Sequence, residues 1–300
     1  MSVITTVEAV PSRIRLFFNF FEARPKGEDA RRVEQMLSPE PLRKASGGDE
    51  AVDDGTARAN VYAHSLNEVL NLGLVERVEG DKLRPAALAE LKGPSADERL
   101  IEWIEPRLLM PEQAALLSQQ NFAPALAWLL MQSPLHPIRF AKNVSADIAQ
   151  EFGTEVQSFD LTNKERFQNL AYWAKYLGYA TLVQERSVVP DPTSAIKRHL
   201  PRIFARSPEL RVEDFLRELA ALASVFELGS VREEVEGKSS ARRAEQGSQR
   251  LSAATSLALR RLADAKVLEL RELSDAGVRI LSVGDLQQRV SHVELTRSVA

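Results

Sequence analysis

The tract Lys238–Arg261, KSSARRAEQGSQRLSAATSLALRR, holds one Lys, five Arg and a single Glu, a balance of +5. Guanidinium groups make charge-assisted bonds to phosphate oxygens, and interleaved Ser, Gln and Thr side chains can bond phosphates or base edges. That chemistry is contact with nucleic acid, and Lys238, Arg242, Arg243, Gln246, Gln249 and Arg250 are the residues expected to supply it. The preceding stretch, 206–237, sets four Arg against eight Asp and Glu, a balance of −4, so neighbouring segments carry opposite sign. A solvated loop entering a helix has the same composition, since arginine clusters commonly face water without binding anything. Both readings stay open on residue type alone.

Two other stretches offer similar side chains in smaller number. TARANVYAHSLN (56–67) presents Arg58, Asn60, His64 and Asn67, and NKERFQN (163–169) presents Lys164, Arg166, Gln168 and Asn169. Asn and Gln can read adenine through two hydrogen bonds, although they also populate ordinary helix surfaces. Arg77, Lys82 and Arg186, in the short apolar runs that follow, are candidate phosphate contacts of modest individual weight.

Other chemistries find little to stand on. The chain has no cysteine, which removes disulfides, thiolate nucleophiles and Cys-bearing zinc sites. Its four histidines, His64, His136, His199 and His292, lie far apart and none has a second ligand at helical spacing. No P-loop, GxGxxG or GxSxG pattern occurs. Gly47-Gly48-Asp49-Glu50 resembles the turn of GGDEF-type nucleotide cyclases, but its flanks, PLRKAS and AVDDG, are not hydrophobic strands, so an acidic loop is expected. The chain is therefore read as non-enzymatic, with no cofactor or metal.

The elements that must position these residues follow from patterning. At 300 residues and 44% hydrophobic content the chain can build two or three domains with ordinary cores. A net charge of −3 means that any nucleic-acid surface must be local. No signal-peptide order and no apolar run of ~18 residues is present, so a soluble, cytoplasmic protein with no membrane contact is expected.

Leu70–Pro85, LNLGLVERVEGDKLRP, reads as a helix end at Gly73 followed by two apolar runs around Glu79-Gly80-Asp81. The pattern returns at 176–190, YLGYATLVQERSVVP, and in weaker form at 262–281, with a turn at 274–277. Helices precede each occurrence. Pro11–Phe21 forms one with Ser12 as a candidate N-cap, Glu28–Leu37 forms another, and periodicity runs from Thr56 to Leu72 after a mobile acidic insert near 45–55. Thr162 and Glu165 stand at capping-box spacing, and Trp103, Trp128 and Trp173 lie on apolar helix faces as core residues. Three helices followed by a strand, a turn and a strand is the winged helix-turn-helix plan. The expected fold is mainly α with small β-hairpin wings, in tandem winged helix-turn-helix units over 1–93, 94–190 and 191–300.

The strings PSRIRLFF, NLGLVE, AYWAKYLGYA and VVPDPT, with the acidic insert and the C-terminal winged unit, resemble the G component of bacterial Dpd clusters. The resemblance covers most of the chain and rests on packing signatures. Those clusters install 7-deazapurines in DNA and restrict DNA that lacks them. The resemblance implies a non-catalytic role in DNA-directed defence, shared with partner proteins, and transfers no functional residue. Together these readings predict a subunit that binds or positions double-stranded DNA, anchored by the third unit, beside other defence proteins and with self-association allowed. A protein-docking adaptor that bridges subunits without touching DNA is the alternative.

Overall fold

The structure, a computed structural model, describes residues 2–39, 54–86, 91, 93–239, 249–273 and 277–296, with side chains throughout except at 54–60 and 154–156. Helix α1 (Pro11–Glu22) opens with Pro11 in its first turn, where a missing N–H leaves nothing unsatisfied. Val10 is its cap residue and contributes no side-chain bond, so Ser12 lies inside the helix and not at the expected cap. The stripe Ile14, Phe17, Phe18 and Phe21 is buried. Strand β1 (Glu28–Asp29) leads into α2 (Ala30–Leu37), whose cap, Asp29, accepts from the backbone of Arg31 and Arg32. Helix α3 (Asp54–Asn71) then runs into the hairpin β2 (Val75–Val78) and β3 (Lys82–Pro85). Residues 45–53, most of the expected insert, lie outside the described residues.

The order helix, strand, helix, helix, strand, strand then recurs, with a further helix and a further hairpin among the described residues of the third pass. After α4 (Ala96–Leu109) and α5 (Pro111–Leu116) come α6 (Phe122–Leu130), β4 (Ile138–Arg139), α7 (Val144–Phe152), a 3-10 turn, α8 (Lys164–Tyr176), β5 (Ala180–Val183) and β6 (Ser187–Pro190). The cap of α8 is Asn163, which accepts from the Arg166 amide at 2.9 Å, one residue beyond the expected Thr162. A third pass runs α9 (Thr193–Ile203), β7 (Glu209–Arg211), α10 (Val212–Leu222), α11 (Ser230–Lys238), α12 (Ala253–Asp264) and β8 (Leu268–Arg271), then β9 (Arg279–Val283), β10 (Leu286–Val290) and β11 (His292–Leu295).

Each pass forms a three-stranded antiparallel sheet in which the last strand lies between the other two: β1-β3-β2, β4-β6-β5 and β7-β11-β8. The three passes share one helix ending. The amides of Leu74, Tyr179 and Val267 bond to carbonyls five residues back, at Val69, Ala174 and Leu262, across Gly73, Gly178 and Lys266, all at positive φ. Lys266 is the Ala-Lys position of the weaker sequence repeat, holding the left-handed geometry without a glycine.

The third pass departs from expectation in its pairing. Residues 268–271 pair with 292–295, and 279–283 pair instead with 286–290 in a separate hairpin. The tight turn is Gly284-Asp285, with Gly284 at φ 58°, a stronger hairpin signal than the turn expected at 274–277.

One apolar core runs from Val3 and Ile4 through all three passes to Val293. Trp128 and Trp173 are buried in it, and Trp103 packs against it while donating from its indole to the Leu72 carbonyl at 2.9 Å.

Candidate nucleic-acid interface

In the second pass, α8 and the β5–β6 turn face each other across a cleft of about 640 Å³. Lys164 and Gln168, one turn apart, line the helix side; Val183–Ser187 line the hairpin side; Arg139 and Phe140 close the end. Backbone pairing explains why Arg139 is there. It lies opposite Ser187 in the β4–β6 ladder, and the Phe140 amide donates to the Arg186 carbonyl at 2.9 Å, which sets Arg139 beside Arg186 along the rim.

The turn itself is conformationally strained. Gln184 and Glu185 both take positive φ, at 51° and 53°, and the Arg186 amide closes onto the Val183 carbonyl at 3.1 Å. This is the type I′ geometry that usually employs Asn-Gly. Without glycine the turn retains side chains that line the cleft.

Electrostatics distinguish this cleft from its counterparts. Arg139 and Arg186 are exposed, and neither guanidinium forms an ion pair among the described residues. Lys164 has only a loose contact, 3.6 Å, with its exposed neighbour Glu165. The one acid in the lining, Glu185, is drawn toward Lys175 at 3.3 Å. Exposed pairs of this kind hold little energy, so the cations stay available to an anion.

The first pass presents a neutralised hairpin. Arg77 pairs with Asp81 at 3.1 Å and Arg84 with Glu76 at 2.7 Å, leaving Lys82 as the hairpin cation without an ion pair among the described residues. Asn67 is exposed and His64 half-buried, and the side chains of Arg58 and Asn60 lie outside the described residues.

In the third pass the predicted basic tract is divided. Lys238 ends α11 and pairs with Glu234 at 2.7 Å. Gln249 and Arg250 are exposed, and the Gln249 carbonyl accepts from the Ile280 amide at 2.8 Å. Arg242, Arg243 and Gln246 lie outside the described residues. Helix α12 begins at Ala253, well after Lys238, because Ser252 caps it and Glu227 accepts from both the Ser252 amide, at 2.9 Å, and the Thr255 hydroxyl, at 2.8 Å. Many nearby arginines are paired: Arg279 with Glu213 at 2.8 Å, Arg289 with Glu272 at 2.7 Å, Arg260 with Asp264 at 3.0 Å, and Arg261 with Asp191.

Of the residues that sequence pointed to in the second pass, Lys164, Gln168 and Arg186 come together in the cleft. Arg166 does not; it turns away to Asp160. Asn169 is buried and donates to the Val3 and Thr6 carbonyls, which makes it a packing residue and not a base reader. Arg139 carried no signal in charge or periodicity, and only the pairing of its two-residue strand with the hairpin brings it to the site.

Over residues 1–276 the sequence matches the family described as DpdG-like. The chain belongs to the DpdG-like family. Neither curated proteins nor solved structures give a match. Membership of the DpdG-like family carries the setting of a multi-protein Dpd modification and defence cluster. No helix among the described residues is long and apolar enough to cross a membrane.

Proposed function

We propose that this DpdG-like protein is a non-catalytic subunit that binds or positions double-stranded DNA within its cluster, and that each pass of the chain is a winged helix. The observation that carries this reading is the second-pass cleft. Arg139 and Arg186, with no ion pair among the described residues, stand beside Lys164 and Gln168, between a helix and a hairpin. In a winged helix these two elements are the ones that meet duplex DNA, the helix at base edges and the hairpin at the backbone. Arg139, Lys164 and Arg186 act on phosphates, and Gln168, an amide on the helix side able to donate and accept together, faces the bases.

The test is fluorescence anisotropy with a duplex over a range of salt concentrations. Binding through these cations weakens steeply with salt, and the double variant Arg139→Ala/Arg186→Ala lowers the slope of log affinity against log salt by about 2, or roughly 0.9 for each phosphate no longer neutralised. Affinity that ignores salt, or a double variant that binds like the parent, sinks the reading. The adaptor alternative draws on the self-neutralised first hairpin, Arg77–Asp81 and Arg84–Glu76, which is better suited to a protein partner than to phosphate. It predicts capture of another cluster component with no affinity for duplex.

A further inference from the structure

The β9–β10 hairpin has no counterpart among the described residues of the first two passes, and its seat on the fold can be located by register. The shared helix ending makes Gly73, Gly178 and Lys266 equivalent, so the positions ten residues earlier are Ala63, Gln168 and Ser256. Ala63 is exposed and Gln168 lines the open cleft, but Ser256 is 0% exposed. Its hydroxyl accepts from the Ser282 amide, in the hairpin, at 3.0 Å. One turn further, Asn67 is exposed and Tyr172 half-exposed, while the equivalent Arg260 donates to Gln288 of the hairpin at 3.1 Å.

The hairpin is held there from several sides. Its own Leu281 is buried, the Leu251 amide bonds to the Ile280 carbonyl at 2.9 Å, and Arg279 reaches Glu213 on α10. At its centre the covered face offers a polar group, the Ser256 hydroxyl, and at its exposed edge Arg260; the hairpin meets both through hydrogen bonds, beside its own buried Leu281.

We propose that the β9–β10 hairpin is an intramolecular plug: it occupies the nucleic-acid face of the third pass, burying Ser256 and tying the exposed Arg260 to Gln288, until it is displaced. The inference rests on the winged-helix reading of the passes. It assigns resting DNA contact to the second-pass cleft and a latent second surface to α12.

Replacing residues 278–290 with a short Gly-Ser turn between the flanking strands tests it, with circular dichroism as the check on folding and duplex anisotropy as the readout. The expected result is affinity at least about tenfold tighter with a steeper salt dependence, reversed by adding Arg260→Glu. A folded, excised chain that binds duplex no more tightly than the parent overturns the plug. Should excision unfold the protein, hydrogen exchange on the intact chain decides. The expected DNA-dependent protection lies at 139–142, 164–168 and 183–187, with the Ser282 amide slow throughout. New protection across 253–264 while Ser282 stays slow overturns the proposal. A parent that binds no duplex, beside an excised chain that does, sinks the cleft reading and leaves the plug standing.

Discussion

Asn169, on the helix that lines the cleft, turns its side-chain amide inward and donates to the carbonyl of Val3, at the far end of the sequence. The same amide reaches the Thr6 carbonyl at 3.2 Å, and one turn later Trp173 donates to the Ala9 carbonyl at 3.0 Å. The N-terminal segment is thus strapped across the back of α8 while Lys164 and Gln168 face out. Asn169→Ala removes the donor these two carbonyls share and costs roughly 1–3 kcal/mol in denaturant unfolding. Hydrogen exchange at residues 3–9 should quicken, and duplex affinity at low denaturant should hold.

Glu105, buried on α4, receives Arg198 at 2.5 Å and the Tyr179 hydroxyl at 2.7 Å, with His199 Nε2 at 3.3 Å. Burial alone would raise this carboxyl; the Arg198 guanidinium, with His199 and Tyr179, overrides burial and holds it at about 2, below its ordinary 4.5. Its stabilising contribution is present above pH 4.5 and lost as pH falls toward 2. Glu105→Gln strands Arg198 and should cost about 3–5 kcal/mol at neutral pH. The variant's acid-unfolding profile should be flatter over the same interval.

Glu68 behaves oppositely. Burial pushes its carboxyl up to about 7, against the hydrogen bond it accepts from Gln119. The neutral acid suits the fold, so the stability it contributes is complete below pH 4.5 and is lost as pH rises through 7. Thermal melts should show the parent losing stability between about pH 5 and about pH 8. Glu68→Gln keeps the acceptor, removes that loss, and should exceed the parent at about pH 8 by on the order of 2 kcal/mol.

The shared helix ending predicts substitutions of opposite sign. At Gly178, φ 82°, a Cβ would meet the Ser194 Cβ at 3.0 Å and the Ala195 amide nitrogen at 3.1 Å. Gly178→Ala should therefore destabilise by about 1–3 kcal/mol. Lys266 already bears the left-handed strain at φ 55°, so Lys266→Gly should stabilise by about 0.5–1 kcal/mol. Chemical denaturation of both variants reads the pair.

Within the second pass, position should matter more than charge. Lys164→Ala should lower the salt slope of duplex binding by about 1. Arg166→Ala, two residues away but committed to Asp160, should leave that slope unchanged while lowering the melting temperature. Equal effects of the two substitutions on DNA binding would refute the assignment of the cleft.

Local chemistry wrote the units into the sequence. Gly73 and Gly178 are needed where the chain leaves a helix with positive φ, Pro11 suits a first helical turn, and alternation after each helix end marks the hairpins, so these signals are legible residue by residue. The basic tract was equally visible, but its meaning was not. Whether an arginine is left for an anion or is held by a neighbouring carboxylate or amide depends on what distant segments bring alongside it: Asp191 beside Arg261, Glu213 beside Arg279, Gln288 beside Arg260. Arg139 joins Arg186 only through the β4–β6 ladder, and Asn169 becomes a strap anchor only because the N-terminus returns to it. Composition determined that any nucleic-acid surface had to be local; the tertiary structure decided which cations are left for it, because pairing between charges falls off with distance in space and is indifferent to separation along the chain.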